Sequence, residues 1–377
     1  PSFNLYHSLL NQFIYSVITK FYQHILALVF AMKEINKDPH ILPNITLGFH
    51  IYDSYSDALM TYRTTLDLLF NLHKIVPNYI CGTEKKIEHG LSDISYGSFQ
   101  LVATDESCFP PFYRMAPDEA FQYEGLVQLL LYFGWKWVGF VIADDKHGEH
   151  FIQIMEPMLS QNKICSEFIK RVDRNFHFYE PYDMVDRCVR HFTLFTEKTA
   201  NAVIIHGENI VFMWLASTLL VSLVFGSTTF DTSQKLNTQK VWITMAQNDF
   251  TLHAFQRELD MQRFHGAISF SISKKEIPGF QQYIQTITLS GTNQDGFIKD
   301  FWNQAFSCSI PNKDAPEDGE CTGEERLEDL LAPFFETSML SHSYSIYNAV
   351  YAVAQALHAL QMKSSYLLGA ICQHIPE

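Results

Sequence analysis

Residues 117–150 read PDEAFQYEGLVQLLLYFGWKWVGFVIADDKHGEH, and this stretch decides the fold. Asp118 can cap a helix, whose apolar residues recur at helical spacing: Tyr123, Leu126, Val127, Leu130 and Leu131. Gly134 predicts the end of that helix. The next residues, Trp135 to Ile142, are aromatic and β-branched, which predicts a strand that is buried on both faces.

A polar loop, Asp144 to Gly148, follows the predicted strand and precedes a second helix that begins near Phe151. Helix, buried strand, loop and helix form half of a parallel α/β unit, in which ligands bind outside the carboxyl ends of the strands. His147, Glu149 and His150 lie close together, but their spacing does not match HExxH. Two of the three side chains would point to different helix faces, so we expect a solvated junction and no metal site.

Several longer segments resemble one family, in the same order along the chain. They are the quoted stretch and residues 22–55 (YQHILALVFAMKEINKDPHILPNITLGFHIYDSY), 78–86 (NYICGTEKK), 96–99 (YGSF) and 344–360 (YSIYNAVYAVAQALHAL). Over roughly nine-tenths of its length, the chain is similar to the extracellular Venus-flytrap domain of class C G-protein-coupled receptors. In particular, it resembles the vomeronasal type-2 (pheromone) receptors.

The resemblance implies an α/β fold with two lobes, like that of periplasmic binding proteins, each lobe a mostly parallel sheet flanked by helices. We expect four segments: 1–135 as the first part of lobe 1, 136–265 as the first part of lobe 2, 266–303 as the crossover and hinge region, and 304–377 as the return to lobe 1 with a disulfide loop and a closing helix. Between Ile87 and Tyr96 about two dozen residues of the family pattern are missing, which is roughly one βα unit. Lobe 1 is therefore expected to lack that unit.

Periodicity predicts the other elements. Helices are predicted at 22–36, 55–72, 181–197 and 344–361, and strands at 45–53, 163–172, 202–206, 240–244 and 265–270. Residues 209–230 contain no charged residue and are long enough to raise the question of a membrane-spanning helix. The flanking acids Glu208 and Asp231, together with internal hydroxyl residues, favour a buried helix instead.

The composition and the missing motifs exclude several functions. A formal net charge of −14 argues against nucleic acid as a partner, because few side chains are available to neutralise phosphates. The chain has no GxSxG, P-loop or GxGxxG motif, and nothing arranges a catalytic triad. We therefore expect no enzymatic activity and no cofactor. The chain starts at Pro1 with no signal peptide, so we expect a mature protein or a fragment.

As a receptor module, the chain is expected to capture a peptide or small molecule. A carboxylate needs hydroxyls or backbone N–H groups, whereas an ammonium needs an acid. The candidate ligand-binding residues are Asp144, Asp145, His147, His206, Gly207, Gln247 and Asp249. Relatives that bind free amino acids carry hydroxyls in the missing stretch, an acid where this chain has Ala246 and an arginine where it has Gln23. We therefore expect no strong binding of free amino acids. Below about pH 6.5, protonated His147 and His206 would instead bind an acidic group of the ligand.

The cysteines and one sequon bear on the cellular compartment. None of the seven cysteines forms a CxxC pair, so zinc or thioredoxin-like chemistry has little support. The resemblance implies a disulfide between Cys308 and Cys321, and it places the partners of Cys81 and Cys165 outside this chain. Asn44 begins a glycosylation sequon. These features alone leave the compartment open, and the resemblance favours the secretory pathway and the extracellular side of the plasma membrane.

The resemblance implies the ligand-binding ectodomain of a pheromone receptor that senses peptides or small molecules by closing its cleft. The expected partners are that ligand, a second receptor chain bound through lobe 1 and, only through a seven-helix region outside this chain, a G protein. Two alternatives stay open. One is a soluble solute-binding or decoy protein without signalling. The other is a non-functional exon-skipped product, which the gap after Ile87 and the unusual ending at 369–377 support.

Overall fold

The structure is a computed structural model that describes residues 18–52, 60, 62–63, 93–95, 112–173, 181–229, 240–248, 250–252, 261–289, 295–310 and 319–372. The chain divides into two compact units. Unit 1 comprises Pro1–Phe30, Ser95–Ala103 and Arg114–Ala349, and unit 2 comprises Ala31–Ile94, Thr104–Tyr113 and Val350–Glu377. Among the predicted features, most of the helix at 55–72, the gap after Ile87, Cys81 and Asp249 lie outside the described residues.

The described residues form helices and strands in alternation over residues 119–269. The helices are α1 (Thr19–Lys37), α2 (Glu119–Tyr132), α3 (Lys146–Gln161), α4 (Pro181–Thr196), α5 (Asn209–Thr229), α6 (Phe280–Gln285), α7 (Ile298–Phe306) and α8 (Ser341–Cys372). The strands are β1 (Asp93–Ser95), β2 (Phe112–Arg114), β3 (Trp137–Ala143), β4 (Cys165–Val172), β5 (Ala202–His206), β6 (Val241–Thr244) and β7 (Ile268–Ser269). The predicted α/β class is confirmed.

A five-stranded parallel sheet organises unit 1, with the order β4-β3-β5-β6-β7. Strand β3 is interior and alternates its side chains between two cores. Val138, Phe140 and Ile142 pack with residues of α2 and α3, whereas Val141 and Ala143 pack with residues of α5. Because helices cover both faces, β3 needs apolar residues at every position, which is why the stretch is a continuous apolar run.

Two helix starts position the polar groups that follow. Asp118 accepts a hydrogen bond from the Ala120 N–H at 2.9 Å, as its N-cap assignment predicts. Asp145 caps α3 in the same way, so α3 already begins at Lys146. The predicted loop of Asp144 to Gly148 is therefore wrong in length. The structure shortens it to two residues because the Asp145 carboxylate satisfies the first backbone N–H groups of the helix.

The long apolar segment forms α5, and its described side chains from Val211 to Val221 are buried. The prediction of a buried helix is thus confirmed. No helix within the described part of the chain has the length and apolar character needed to cross a bilayer.

A second core in unit 1 joins α1 to α6 and α7. Tyr22 stacks on Phe301 with ring centroids 4.2 Å apart, and the Tyr22 hydroxyl donates to Asp295 at 2.6 Å. Next to this core a disulfide joins Cys308 and Cys321, the pair that the resemblance implies.

Unit 2 contains a small core of Ile35, Leu42 and Ala354. The strand predicted at 45–53 is wrong, because residues 45–52 form no strand. The side chain of Asn36 bonds both the N–H and the C=O of Leu47, at 2.9 and 3.0 Å. These side-chain bonds take the place of a partner strand. Asn44 is exposed, and its glycosylation stays a prediction.

Candidate functional site

Three connections leave the carboxyl edge of the sheet side by side. Strand β3 continues into Asp144 and Asp145, β5 ends at His206, and β6 continues into residues 245–248. The register pairs Ile142 with His206 and Ile205 with Thr244, so these strand ends are direct neighbours. The structure therefore brings the described candidates Asp144, Asp145, His147, His206, Gly207 and Gln247 to one edge of one sheet.

The two aspartates after β3 have different environments. Asp144 is exposed, and its backbone N–H donates to Val172 O at 2.8 Å. Asp145 is half-buried, and its Oδ1 accepts the N–H groups of His147 and Gly148, both at 2.9 Å. Asp145 thus positions the start of α3, while Asp144 presents a solvent-accessible carboxylate. His147 lies in the first turn of α3 and is half-buried.

Glycine is required twice where β3 meets its neighbours. A Cβ on Gly148 would overlap the carbonyl oxygen of Ala143. Gly207 has a φ of 128°, and a Cβ there would lie 2.8 Å from Val211 Cγ2. The predicted ligand-binding role of Gly207 stays a prediction, but its close packing gives a structural reason for glycine.

His206 is buried, with 1% of its surface exposed, and stacks on Phe151 at 3.9 Å with 6° between the ring planes. Neither ring nitrogen has a hydrogen-bond partner. The pKa of His206 is lowered to about 3, chiefly by burial and also by the nearby His147, while Asp145 opposes the shift. The expectation that His206 gains a proton near pH 6.5 is therefore wrong for this structure, because the charged ring would be desolvated.

The first turn of α2 contributes a polar cluster that sequence reasoning missed. The Gln247 Nε2 donates to Glu119 Oε1 at 3.0 Å, and the Tyr123 hydroxyl donates to the other carboxylate oxygen. The Ala246 N–H donates to Gln122 Oε1 at 3.1 Å. Glu119 directly follows an N-cap, a position where an acid interacts favourably with the helix dipole. The sequence therefore suggested a local role for Glu119 and gave no sign of its contact with Gln247.

Glu119 is a buried acid, only 8% exposed, and no lysine or arginine of the described residues pairs with it. Burial and the hydrogen bond to Glu119 raise the pKa of Tyr123, so its hydroxyl stays protonated and donates. The resemblance predicts an acid at the position of Ala246, and the amide of the adjacent residue, Gln247, donates to Glu119. The cluster is therefore acidic even though Ala246 is not.

Several buried polar atoms at this edge have no partner. They are both ring nitrogens of His206, Gln247 Oε1 and Gln122 Nε2. Leaving a buried polar group without a hydrogen bond costs about 1–3 kcal/mol, so such groups concentrate where water or a ligand binds. These atoms include two donors, Gln122 Nε2 and one ring nitrogen of His206, and two acceptors, which suits a ligand with polar groups of both kinds.

At this edge, the described residues form no group of side chains that could hold a metal ion. Elsewhere among the described residues, the potential ligand atoms of Cys308, Cys321 and Glu325 lie within 4.8 Å of one another. The two cysteines are bonded to each other, so their sulfurs are not thiolate ligands.

Comparison with known proteins gives the class of this fold and site. The family described as "Receptor family ligand binding region" matches residues 25–375, and the chain belongs to this family. Its fold is the Venus flytrap of the periplasmic-binding-protein type, as predicted.

Individual relatives narrow the class. The chain is 30% identical to Vomeronasal type-2 receptor 26 of Mus musculus over 92% of its own length and 41% of the receptor's. It is 28% identical to Vomeronasal type-2 receptor 116 of Mus musculus, over 90% of the chain and 40% of the receptor. The Extracellular calcium-sensing receptor of Homo sapiens is 23% identical, over 88% and 33%. The predicted resemblance to extracellular domains of class C receptors is confirmed, and the chain spans about two fifths or less of these relatives.

Proposed function

We propose that this chain is the ligand-sensing domain of a vomeronasal type-2-like receptor and that it binds a peptide or small molecule at the carboxyl edge of the five-stranded sheet. The supporting observation is the set of buried, unpartnered polar atoms on Gln122, His206 and Gln247, beside the exposed carboxylate of Asp144. A ligand that supplies their missing hydrogen bonds would recover part of their desolvation cost. Asp249 lies outside the described residues, and it is part of the proposal only as the next acid along the chain after Gln247.

The ligand we propose is a peptide rather than a free amino acid. Ala246 is buried and its methyl side chain has no acceptor, so this position offers an incoming ammonium no carboxylate. Glu119 is nearby, but Gln247 and Tyr123 already donate to its two oxygens. An ammonium that pairs with the acid would therefore have to share these oxygens with two neutral donors.

The test is calorimetric titration of the purified chain with a defined library of short synthetic peptides and, separately, with the twenty free amino acids. We expect some peptides to bind. Gln247→Ala should weaken this binding at least about tenfold, because Glu119 and the ligand group that faces Gln247 Oε1 would each lose a hydrogen-bond partner. A matched control is Gln153→Ala, on the exposed side of α3, which should leave peptide binding unchanged. Micromolar binding of a free amino acid that is indifferent to Gln247→Ala would refute the proposal.

The proposal extends to closure and assembly. We propose that residues 136–265 and 304–377 belong to different lobes, connected through the crossover at 266–303, and that the ligand favours the closed state by binding it more tightly than the open one. In the full receptor, a second chain would bind through lobe 1 and a seven-helix region would reach the G protein. This places the chain on the extracellular side of the plasma membrane, and it gives the chain no enzymatic role.

The alternative without signalling has its own test. When this chain replaces the ectodomain of Vomeronasal type-2 receptor 26, a binding peptide should raise the receptor's response in cells. Binding in the calorimeter without any response in the chimera would favour a decoy or solute-binding protein. A chain that aggregates and gives no cooperative unfolding would favour the exon-skipped product.

A further inference from the structure

Residues 271–279 (SISKKEIPG) connect the end of the sheet to α6, and they contain two adjacent lysines. Residues 271–277 lie in neither a helix nor a strand, and residues 273–276 are all exposed. With the rest of the described chain, these four residues make no hydrogen bond and no ion pair. Because the backbone donors and acceptors of this segment face solvent, another protein can bind them without first breaking internal bonds.

Both ends of this exposed segment are anchored. Ile272 is 8% exposed, and its carbonyl oxygen accepts the Ser341 hydroxyl at 2.8 Å. At the other end, the Ile277 carbonyl oxygen accepts the Phe280 N–H at 3.3 Å, where α6 begins. The segment therefore has fixed ends, and its lysines are exposed at a defined place on the surface.

The other basic residues that the structure describes are less accessible to a protein that binds their backbone. Most of them lie in helices or strands, and those outside helices and strands are Lys136, Lys163, Lys198, Lys240 and Arg326. The Lys163 N–H donates to Ser160 O at 3.1 Å, Lys240 is 8% exposed, and the carbonyl oxygens of the other three accept hydrogen bonds. Lys274 and Lys275 combine an exposed side chain with an unbonded, irregular backbone.

This combination fits a protease that has an acidic primary pocket, since such a pocket binds a basic side chain and the substrate binds as an extended chain. We infer that residues 273–276 are a cleavage site for a protease of this kind, which hydrolyses a peptide bond at the Lys274–Lys275 pair. Water adds across the bond, so the lysine before it gains a carboxylate and the residue after it gains an ammonium group. This modification site does not depend on the peptide site proposed above.

Contacts across the cut would hold the two fragments together. Tyr22, on the N-terminal fragment, stacks on Phe301 of the C-terminal fragment with ring centroids 4.2 Å apart. The side chain of Gln23 donates to Ser338 O at 2.9 Å and accepts the Leu340 N–H at 2.8 Å. These contacts do not involve residues 273–276, so we expect the cleaved protein to remain a two-chain complex under native conditions.

The experiment is limited proteolysis of the full 377-residue chain by trypsin, at a low ratio of enzyme to substrate and sampled over time. Mass spectrometry quantifies each new terminus. Cleavage at the lysine pair should be at least about tenfold faster than cleavage after Lys163, because the bonded turn at Lys163 must open first. The fragments should elute together in gel filtration and separate in a reducing, denaturing gel.

Variants separate recognition of the lysines from access to the backbone. Lys274→Gln together with Lys275→Gln should slow tryptic cleavage of the segment at least about tenfold, because glutamine lacks the charge that the pocket binds. A glutamate-specific protease should still cleave this double variant after Glu276, which lies in the same exposed segment. Lys163→Gln is the matched control and should leave cleavage at the lysine pair unchanged.

Three results would count against the inference. Trypsin that cleaves after Lys163 as fast as at the lysine pair would overturn it, and so would a segment that resists both proteases. Fragments that dissociate in gel filtration would contradict the association that the contacts of Tyr22 and Gln23 imply.

Discussion

His206→Phe should remove a specific part of the acid sensitivity of this protein. The imidazole is buried against Phe151, and neither of its nitrogens has a hydrogen-bond partner. A phenyl ring has a similar shape and can keep the stacking, but it has no group to protonate. The comparison between variant and wild type therefore isolates the titration of one side chain.

The sign and size of this change in stability follow from the pKa of His206 in the folded chain and in the unfolded chain. The folded pKa of about 3 is below the ordinary value of 6.5, so His206 stabilises the fold above pH 6.5, and this contribution is lost as the pH falls toward 3. The unfolded chain takes up the proton first. At about 1.4 kcal/mol per pH unit, the free energy of unfolding should fall by about 2 kcal/mol between about pH 7 and about pH 5.

The assay is urea denaturation at a series of pH values, followed by tryptophan fluorescence. We expect the wild type to lose about 2 kcal/mol more than His206→Phe over this interval. His265→Phe is a matched control, because it removes an exposed histidine and should keep the wild-type pH dependence. If His206→Phe and the wild type lose the same stability, the burial and low pKa assigned to His206 are wrong.

Two further changes test how the structure is held together. Gly148→Ala should destabilise the chain by about 2 kcal/mol or more, because the new Cβ would overlap the Ala143 carbonyl. Gly48→Ala, whose Cβ would meet nothing within 4 Å, should be near neutral in the same urea titration. Replacing Cys308 and Cys321 by serine should cost about 3 kcal/mol in the chain-entropy model, since the bridge closes a separation of 13 residues. Reduction of the wild type should lower its midpoint equally, and an unchanged midpoint would contradict a stabilising bridge.

The sequence alone determined the fold class and most elements from residue 117 onward. Continuous apolar runs such as Val138 to Ala143 have few possible environments, and a parallel strand covered on both faces is the one that matches their length. The sequence also determined the family, because several segments matched in the right order. These signals are local or additive along the chain, so they can be recognised without coordinates.

Tertiary structure decided how the candidate residues are arranged. Nothing local distinguishes a buried histidine at the end of a strand from an exposed one, and only packing against Phe151 places His206 in the core. Glu119 and Gln247 are separated by 128 positions and meet because α2 packs beside the end of β6. Residues 45–52 form no strand, and the backbone groups of Leu47 bond the side chain of Asn36, a contact that alternation along the chain does not predict. Pairings between distant residues depend on how elements pack, which periodicity along the chain does not record.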